Sequence, residues 1–252
     1  MKEHEKNLDA RSVVMLIDGD NARPSLIDAM VDEASKYGQL TFKRIYGDWT
    51  TPQMSSWKQV LQSHAIQPIQ QFRNTVGKNA TDSTLIIDAM DILHTQNVDI
   101  FIIVSSDSDF TRLATRMREN GKMVIGIGKR MTPVAFVRAC NIFVYTENLM
   151  PPDPKKTIKA ASTKQTVKKS PTKQEKELCK LLIKAIELIG REDGSSLLSQ
   201  LGIALHKIDP GFDPRTYGKK KLLDIIEMFP REFEIKTNKE GDPMGVRLKK
   251  LE

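Results

Sequence analysis

The stretch Ile100-Phe101-Ile102-Ile103-Val104-Ser105-Ser106-Asp107-Ser108-Asp109-Phe110 runs from five apolar, mostly β-branched side chains straight into alternating serine and aspartate. A strand apolar on both faces is buried on both faces, which predicts a parallel sheet covered by helices. A second run of this kind, Val13-Val14-Met15-Leu16-Ile17, also ends on a carboxylate, Asp18. In an open α/β sheet, ligands bind just beyond the carboxyl ends of the strands. Aspartates at that edge on two strands are hard oxygen donors suited to a divalent cation. Such a cation points to metal-assisted phosphodiester hydrolysis.

Outward from these runs, the first 149 residues alternate strand-like and helix-like segments. The pattern predicts strands over 13–18, 40–46, 66–71, 100–105, 122–127 and 142–146, and helices over 23–37, 52–63, 80–96, 109–120 and 132–139. Alternation of this kind argues for helices on both faces of the sheet. Gly38, Gly121 and the region of Asn97 supply helix stops. Pro151-Pro152-Asp153-Pro154 ends this pattern, and the lysine-, threonine- and serine-rich stretch up to 173 reads as a flexible tether. Helical periodicity resumes near Gln174 with Leu178, Leu181, Leu182, Ala185, Ile186 and Ile189. A second helix over 196–207, a third from Pro214 to Met228 and a hairpin from 233–236 and 245–248 complete a winged-helix outline. The expected organisation is therefore a domain over 1–150, a linker over 151–173 and a small domain over 174–252.

Charge separates the same three parts. The chain carries a net +7. Residues 1–150 hold 17 basic and 17 acidic side chains, whereas 151–176 hold eight lysines against Asp153 and Glu175. Nearly all of the excess belongs to this stretch. The two cysteines, Cys140 and Cys179, lack metal-ligand spacing and suit a reduced compartment. No apolar signal core opens the chain and no run reaches membrane-spanning length, so a cytoplasmic protein is expected. The four histidines share no ligand spacing, which argues against a histidine-based zinc or acid–base site.

Each acidic residue also has a plainer reading. In Ile17-Asp18-Gly19-Asp20-Asn21, Asp20 and Asn21 serve equally well as capping residues before a helix whose first turn contains Pro24. Ser-Asp-Ser-Asp ahead of a helix is good capping sequence too. One cap needs one such residue, yet here two aspartates follow a buried strand. Asp82, in Gly77-Lys78-Asn79-Ala80-Thr81-Asp82, either caps its helix or projects toward the strand ends; Asp88 is a second candidate.

Ile17 to Asn21, Lys78 to Asp82 and Ser105 to Phe110 together resemble the NYN domain, a PIN-like nuclease group that includes the LabA-like bacterial proteins, over about 11–149. The resemblance implies a PIN-like α/β/α sandwich and a ribonuclease site dependent on Mg²⁺ or Mn²⁺. Asp18, Asp82, Asp107 and Asp109 are then the metal ligands and catalytic residues, with Asn21 and Ser105 in support. Ser106 stands where relatives often have glycine, which alters the turn. Domains of this group often pair, so a homodimer is a further expectation.

Basic side chains fall around the same edge. Arg44, Arg73, Lys78, Lys129 and Arg130 lie in predicted strand ends or loops, and of these Lys78, Lys129 and Arg130 are the RNA-binding candidates. Lys78 reads equally as a solvated loop lysine. Gly126-Ile127-Gly128 is too short a motif to define a nucleotide cradle. Trp49 fits a packing role better than a base-stacking one. Farther on, Phe212 to Leu222, with the helix before it and Leu201-Gly202, resembles the OST-HTH or LOTUS domain over about 174–250. The resemblance implies an RNA partner, or a protein partner as some such domains have. Arg215, Lys219, Lys220 and Lys221 are then the phosphate contacts.

The combined reading is a metal-dependent ribonuclease whose C-terminal module concentrates RNA through the tether. An RNA-binding scaffold with little catalysis is one alternative. A phosphatase using Asp18-Gly19-Asp20 as an Asp-x-Asp nucleophile motif is another.

Overall fold

The computed structural model describes residues 11–72, 80–150, 172–190, 195–237 and 243–249. The chain divides into two compact units, 1–150 and 151–252. Lys78, Arg73 and nearly all of the lysine-rich tether lie outside the described residues.

In the first unit the described strands are β1 (Ser12–Asp18), β2 (Gln39–Gly47), β3 (Gln67–Gln70), β4 (Ile100–Val104), β5 (Met123–Gly128) and β6 (Ile142–Tyr145). They form one all-parallel sheet in the order β3-β2-β1-β4-β5-β6. The helices are α1 (Ile27–Ser35), α2 (Ser55–Leu61), α3 (Ala80–Thr95), α4 (Thr111–Glu119) and α5 (Val134–Ala139). Short 3₁₀ turns lead into α1, α2 and α4. Prolines 24 and 52 open two of these turns, where a missing N–H costs nothing.

The two-residue period of β1 sorts its side chains between two cores. Val14 and Leu16 pack with Leu85 and Ala89 of α3, Leu113 and Met117 of α4 and Phe136 of α5. Val13, Met15 and Ile17 face the other way, against Ile27 and Met30 of α1 and Trp57 of α2. In β4, Phe101 and Ile103 join the first core, and Ile100, Ile102 and Val104 the second. The continuous apolar runs are thus explained by helices on both faces, an α/β/α sandwich. Each fully buried aliphatic or aromatic side chain here contributes about 1.5–3 kcal/mol.

The second unit holds α6 (Lys173–Ile189), β7 (Ser195–Leu197), α7 (Leu198–Ile208), α8 (Leu222–Ile226), β8 (Phe233–Thr237) and β9 (Pro243–Leu248). Thr172 and Glu175 form a reciprocal capping box at the start of α6. Two local features differ from the sequence reading. The expected helix from Pro214 to Met228 is split: a 3₁₀ turn, Pro214–Tyr217, ends at Gly218 with φ 71°, and α8 restarts at Leu222. The hairpin gains a third strand, β7, paired antiparallel with β9. Its three residues, Ser195-Ser196-Leu197, are too short to show a period in sequence.

Candidate metal centre and nucleic-acid surfaces

β1 and β4 are neighbours, but the chain leaves β1 toward β2 on one side and β4 toward β5 on the other. Their carboxyl ends therefore flank the crevice at which an open α/β sheet binds ligands. Asp18 ends β1 and continues the Val14–Leu16 row, so it belongs to the sheet face covered by α3 and α4. Those two helices begin with the other acidic residues: Asp82 lies in the first turn of α3, and Asp107 and Asp109 frame the turn into α4.

Carboxylate oxygens of Asp82, Asp107 and Asp109 lie within 4.8 Å of one another. Asp18 sits apart from this trio in character. It is 1% exposed, and its Oδ2 accepts hydrogen bonds from Asn21 Nδ2 (2.7 Å) and Ser105 Oγ (2.8 Å), while Oδ1 accepts from the Asp20 amide at 3.1 Å. Burial raises its pKa, and the bonds from Ser105 and Asn21 oppose that rise. Ser105 Oγ also accepts the Asp107 amide at 3.0 Å, joining the end of β1 to the loop after β4. Asp107 accepts the Asp109 amide at 2.9 Å, so it caps the turn and stands in the cluster at once.

The pKa of Asp82 is pushed up to about 6, first by burial and then by repulsion from Asp18, Asp107, Asp109 and Asp20. The site thus concentrates negative charge with no neutralising cation of its own among the groups that shift Asp82. All-oxygen donors with excess negative charge fit a hard divalent ion better than a soft one. Asp82, Asp107 and Asp109 could hold such an ion directly, with Asp18 bound beneath them by its three donors.

Two aromatic and two glycine positions shape this edge. Trp57 Nε1 donates to Gly19 O at 3.3 Å, anchoring the loop after β1. A Cβ on Gly19 would lie 2.7 Å from Tyr46 O, and one on Gly128 would lie 2.5 Å from Ser105 O. Trp49 is half-buried in the second core, its Nε1 donating to Ile69 O at 3.0 Å, as its packing role requires.

The structure separates other candidates from the cluster. Asp88 accepts hydrogen bonds from Arg44 and Tyr46, which ties α3 to β2 and occupies both carboxylate oxygens. Arg44 is therefore part of a strand-to-helix clamp and not of the edge predicted for it. Asp20, left open by the sequence, lies near enough to help raise Asp82. Lys129 lines a small cleft with Asn21, Ser105 and Ser106, its amide donating to Ser106 Oγ at 2.8 Å. Arg130 is exposed; its amide meets the Glu147 carboxylate and its guanidinium lies over the Tyr145 ring.

These strand-end motifs coincide with a family pattern. The NYN domain model matches residues 12–147. The chain belongs to the NYN family. This is a PIN-like nuclease family, and the motif residues described above all fall within its matched span. A second match, to the OST-HTH/LOTUS domain, covers residues 169–244 and brings a type of module that binds RNA. Among solved structures, the chain is similar to a protein of unknown function from Vibrio parahaemolyticus, with 19% identity, a TM-score of 0.46, and coverage of 54% of this chain and 93% of that one. It is also similar to the WlbA dehydrogenase from Bordetella pertussis in complex with NADH and UDP-GlcNAcA, with 16% identity, a TM-score of 0.30, and coverage of 71% and 40%. Likeness at these scores speaks to neither activity nor ligand. No curated protein matches the chain.

In the OST-HTH unit the candidate phosphate contacts differ among themselves. Arg215 Nε donates to both oxygens of the buried Asp213, with Nη2 at 2.7 Å, so this arginine is engaged in its own turn. Lys220 and Lys221 are exposed and Lys219 is half-buried. The amides of Lys220 and Lys221 are taken by Asp224, which caps α8. No helix among the described residues is long and apolar enough to cross a membrane.

Proposed function

We propose that this chain is a divalent-metal-dependent ribonuclease that hydrolyses RNA phosphodiester bonds in its NYN unit and gathers RNA with its OST-HTH unit. The convergence of Asp82, Asp107 and Asp109 at the β1–β4 crevice carries the reading. These three would hold Mg²⁺ or Mn²⁺, with Asp18 supporting them through Ser105 and the loop it anchors. A bound divalent ion supplies charge neutralisation at the scissile phosphate and a more acidic water. The residues themselves keep donor oxygens preorganised: Ser105 fixes Asp18 and the Asp107 amide, and Asn21 donates to the same Asp18 oxygen as Ser105. Lys129, which lines the cleft with Asn21 and Ser105, would meet a phosphate there, and Lys78 would be a second phosphate contact. Lys220 and Lys221 offer exposed cations in the second unit, with the half-buried Lys219 beside them in sequence, whereas Arg215 is bound to Asp213.

The phosphatase alternative needs Asp18 as an accessible nucleophile. With 1% exposure and its oxygens engaged by Ser105, Asn21 and Asp20, it is poorly suited to that role.

The test is incubation of the full chain with single-stranded and structured RNAs in Mn²⁺, Mg²⁺ or EDTA, beside Asp107→Asn. Metal-dependent cleavage lost in the variant supports the nuclease. Metal-independent binding without cleavage across all substrates would instead make the chain an RNA-binding scaffold.

A further inference from the structure

Asp82 opens α3 and Asp109 leads into α4, so the acidic cluster sits at one end of the seam between these helices. Farther along that seam lies an open groove of about 410 Å³, lined by Ile86 and Met90 of α3 and by Arg112, Leu113 and Arg116 of α4, among others. The spacing puts cluster and groove along the same faces of the two helices. Ile86 and Met90 follow Asp82 at intervals of four residues, and Arg112 and Arg116 follow Asp109 at intervals of three and four. Residues so spaced share a helix face.

The lining is divided by chemistry. Leu113 is buried and Ile86 and Met90 are half-buried, giving an apolar base, while Arg112 and Arg116 are exposed. No hydrogen bond or ion pair engages the Arg112 side chain among the described residues. Arg116 meets Glu119 at 3.3 Å, but both side chains are more than half exposed, and such pairs are weak. Neither guanidinium is thus committed to holding the fold.

We propose that this groove carries the single-stranded RNA leading to the acidic cluster, an inference that rests on the nuclease reading above. Arg112 and Arg116 stand about one helical turn apart, a rise of about 6 Å, and can each take a phosphate along one strand. The apolar base beneath them gains from contact with the flat faces of bases. A duplex, whose bases are already stacked and paired, offers no such faces, so the strand is single. The acidic cluster itself repels phosphate unless a cation is present, so cations beside it are needed to hold the flanking strand.

The test uses the full chain carrying Asp107→Asn, in Mn²⁺, so that the RNA stays whole. A short single-stranded RNA containing 4-thiouridine is photocrosslinked and the modified peptides are mapped. Crosslinks are expected on α3 and α4 at the groove. In parallel, the salt dependence of RNA binding is compared in Arg112→Ala/Arg116→Ala and in Arg138→Ala, an exposed arginine in the last turn of α5. Removing the two cations that neutralise phosphates lowers the log–log salt slope by about 1.4, and the Arg138 control leaves it unchanged. An unchanged slope in the double variant, or crosslinks that leave α3 and α4 unmodified, overturns the proposal. Competition by duplex RNA equal to that by single-stranded RNA also overturns it. With Asp107 restored, cleavage separates the two readings. Cleavage with an unchanged slope removes the groove alone, and a lowered slope without cleavage removes the nuclease alone.

Discussion

Ser105 makes the connection on which the candidate centre depends. Its hydroxyl donates to buried Asp18 and accepts the Asp107 amide, so one side chain links β1 to the loop that carries two of the three clustered carboxylates. Ser105→Ala leaves a buried carboxylate short of a donor, and chemical denaturation should show a loss of about 1–3 kcal/mol. Asp82 behaves in the opposite sense. Its folded pKa, about 6, lies above the ordinary carboxylate value of 3.8. The folded state therefore binds the extra proton between these values, and its contribution to stability falls as pH rises from about 4 to about 6. At pH 7.5 the metal-free protein carries the full penalty. Asp82→Asn should raise Tm of the metal-free protein by about 2–4 °C, equivalent to about 1 kcal/mol after allowance for solvent screening of a half-exposed group. The same variant should lose most of the Tm gain that Mn²⁺ gives the unchanged chain. A rise in Tm with Mn²⁺ equal in both proteins would mean that Asp82 does not hold the ion.

At the scale of elements, the strand ends matter more than the strands. Gly128 closes β5 against the Ser105 carbonyl, where an added Cβ would sit 2.5 Å away. Gly128→Ala must push the β4 loop aside, and it should lower both Tm and the Mn²⁺-induced gain. Gly121→Ala is the contrast. Gly121 has φ 74° and open space around it, so alanine there costs about 1 kcal/mol of backbone strain without touching the site. In α7, His206 packs against Phe212 with its Nδ1 buried and without a hydrogen-bond partner among the described residues, and burial lowers its pKa against the opposing pull of the Pro210 carbonyl. The unfolded chain then binds the proton more readily, so the second unit should lose stability as pH falls below about 6.5. Circular dichroism melts of His206→Gln beside the unchanged chain should show that acid sensitivity reduced.

At the scale of the whole molecule, charge is distributed by segment. Eight lysines lie in 151–176, a stretch that follows the charge-balanced NYN unit and runs into the start of the OST-HTH match. Replacing them with serine should weaken RNA binding by the full chain and flatten its salt dependence by about 0.7 for each phosphate left without its lysine on single strands. If the slope stays constant, the segment acts as a spacer and does not touch RNA.

The sandwich was legible because buried strands leave continuous apolar runs and because amphipathic helices repeat between them. Residues 13–17 and 100–104 declared both faces of the sheet, and the aspartates following them marked the edge. The split at Gly218 was hidden, since Leu222 to Phe229 keep a helical apolar spacing whether or not one helix spans them. Strand β7 was hidden by its length. Around the cluster, four aspartates from three segments were equivalent in sequence. Only folding separated Asp18, buried and hydrogen-bonded, from the trio that gathers above it, and committed Asp88 to Arg44 and Tyr46. Sequence by itself determined the order of chemistry along the chain: apolar run, carboxylate, helix start. Tertiary structure alone decided which carboxylates meet and which arginines stay available, because burial, repulsion and hydrogen-bond partners are properties of neighbours in space, and these neighbours are distant in the chain.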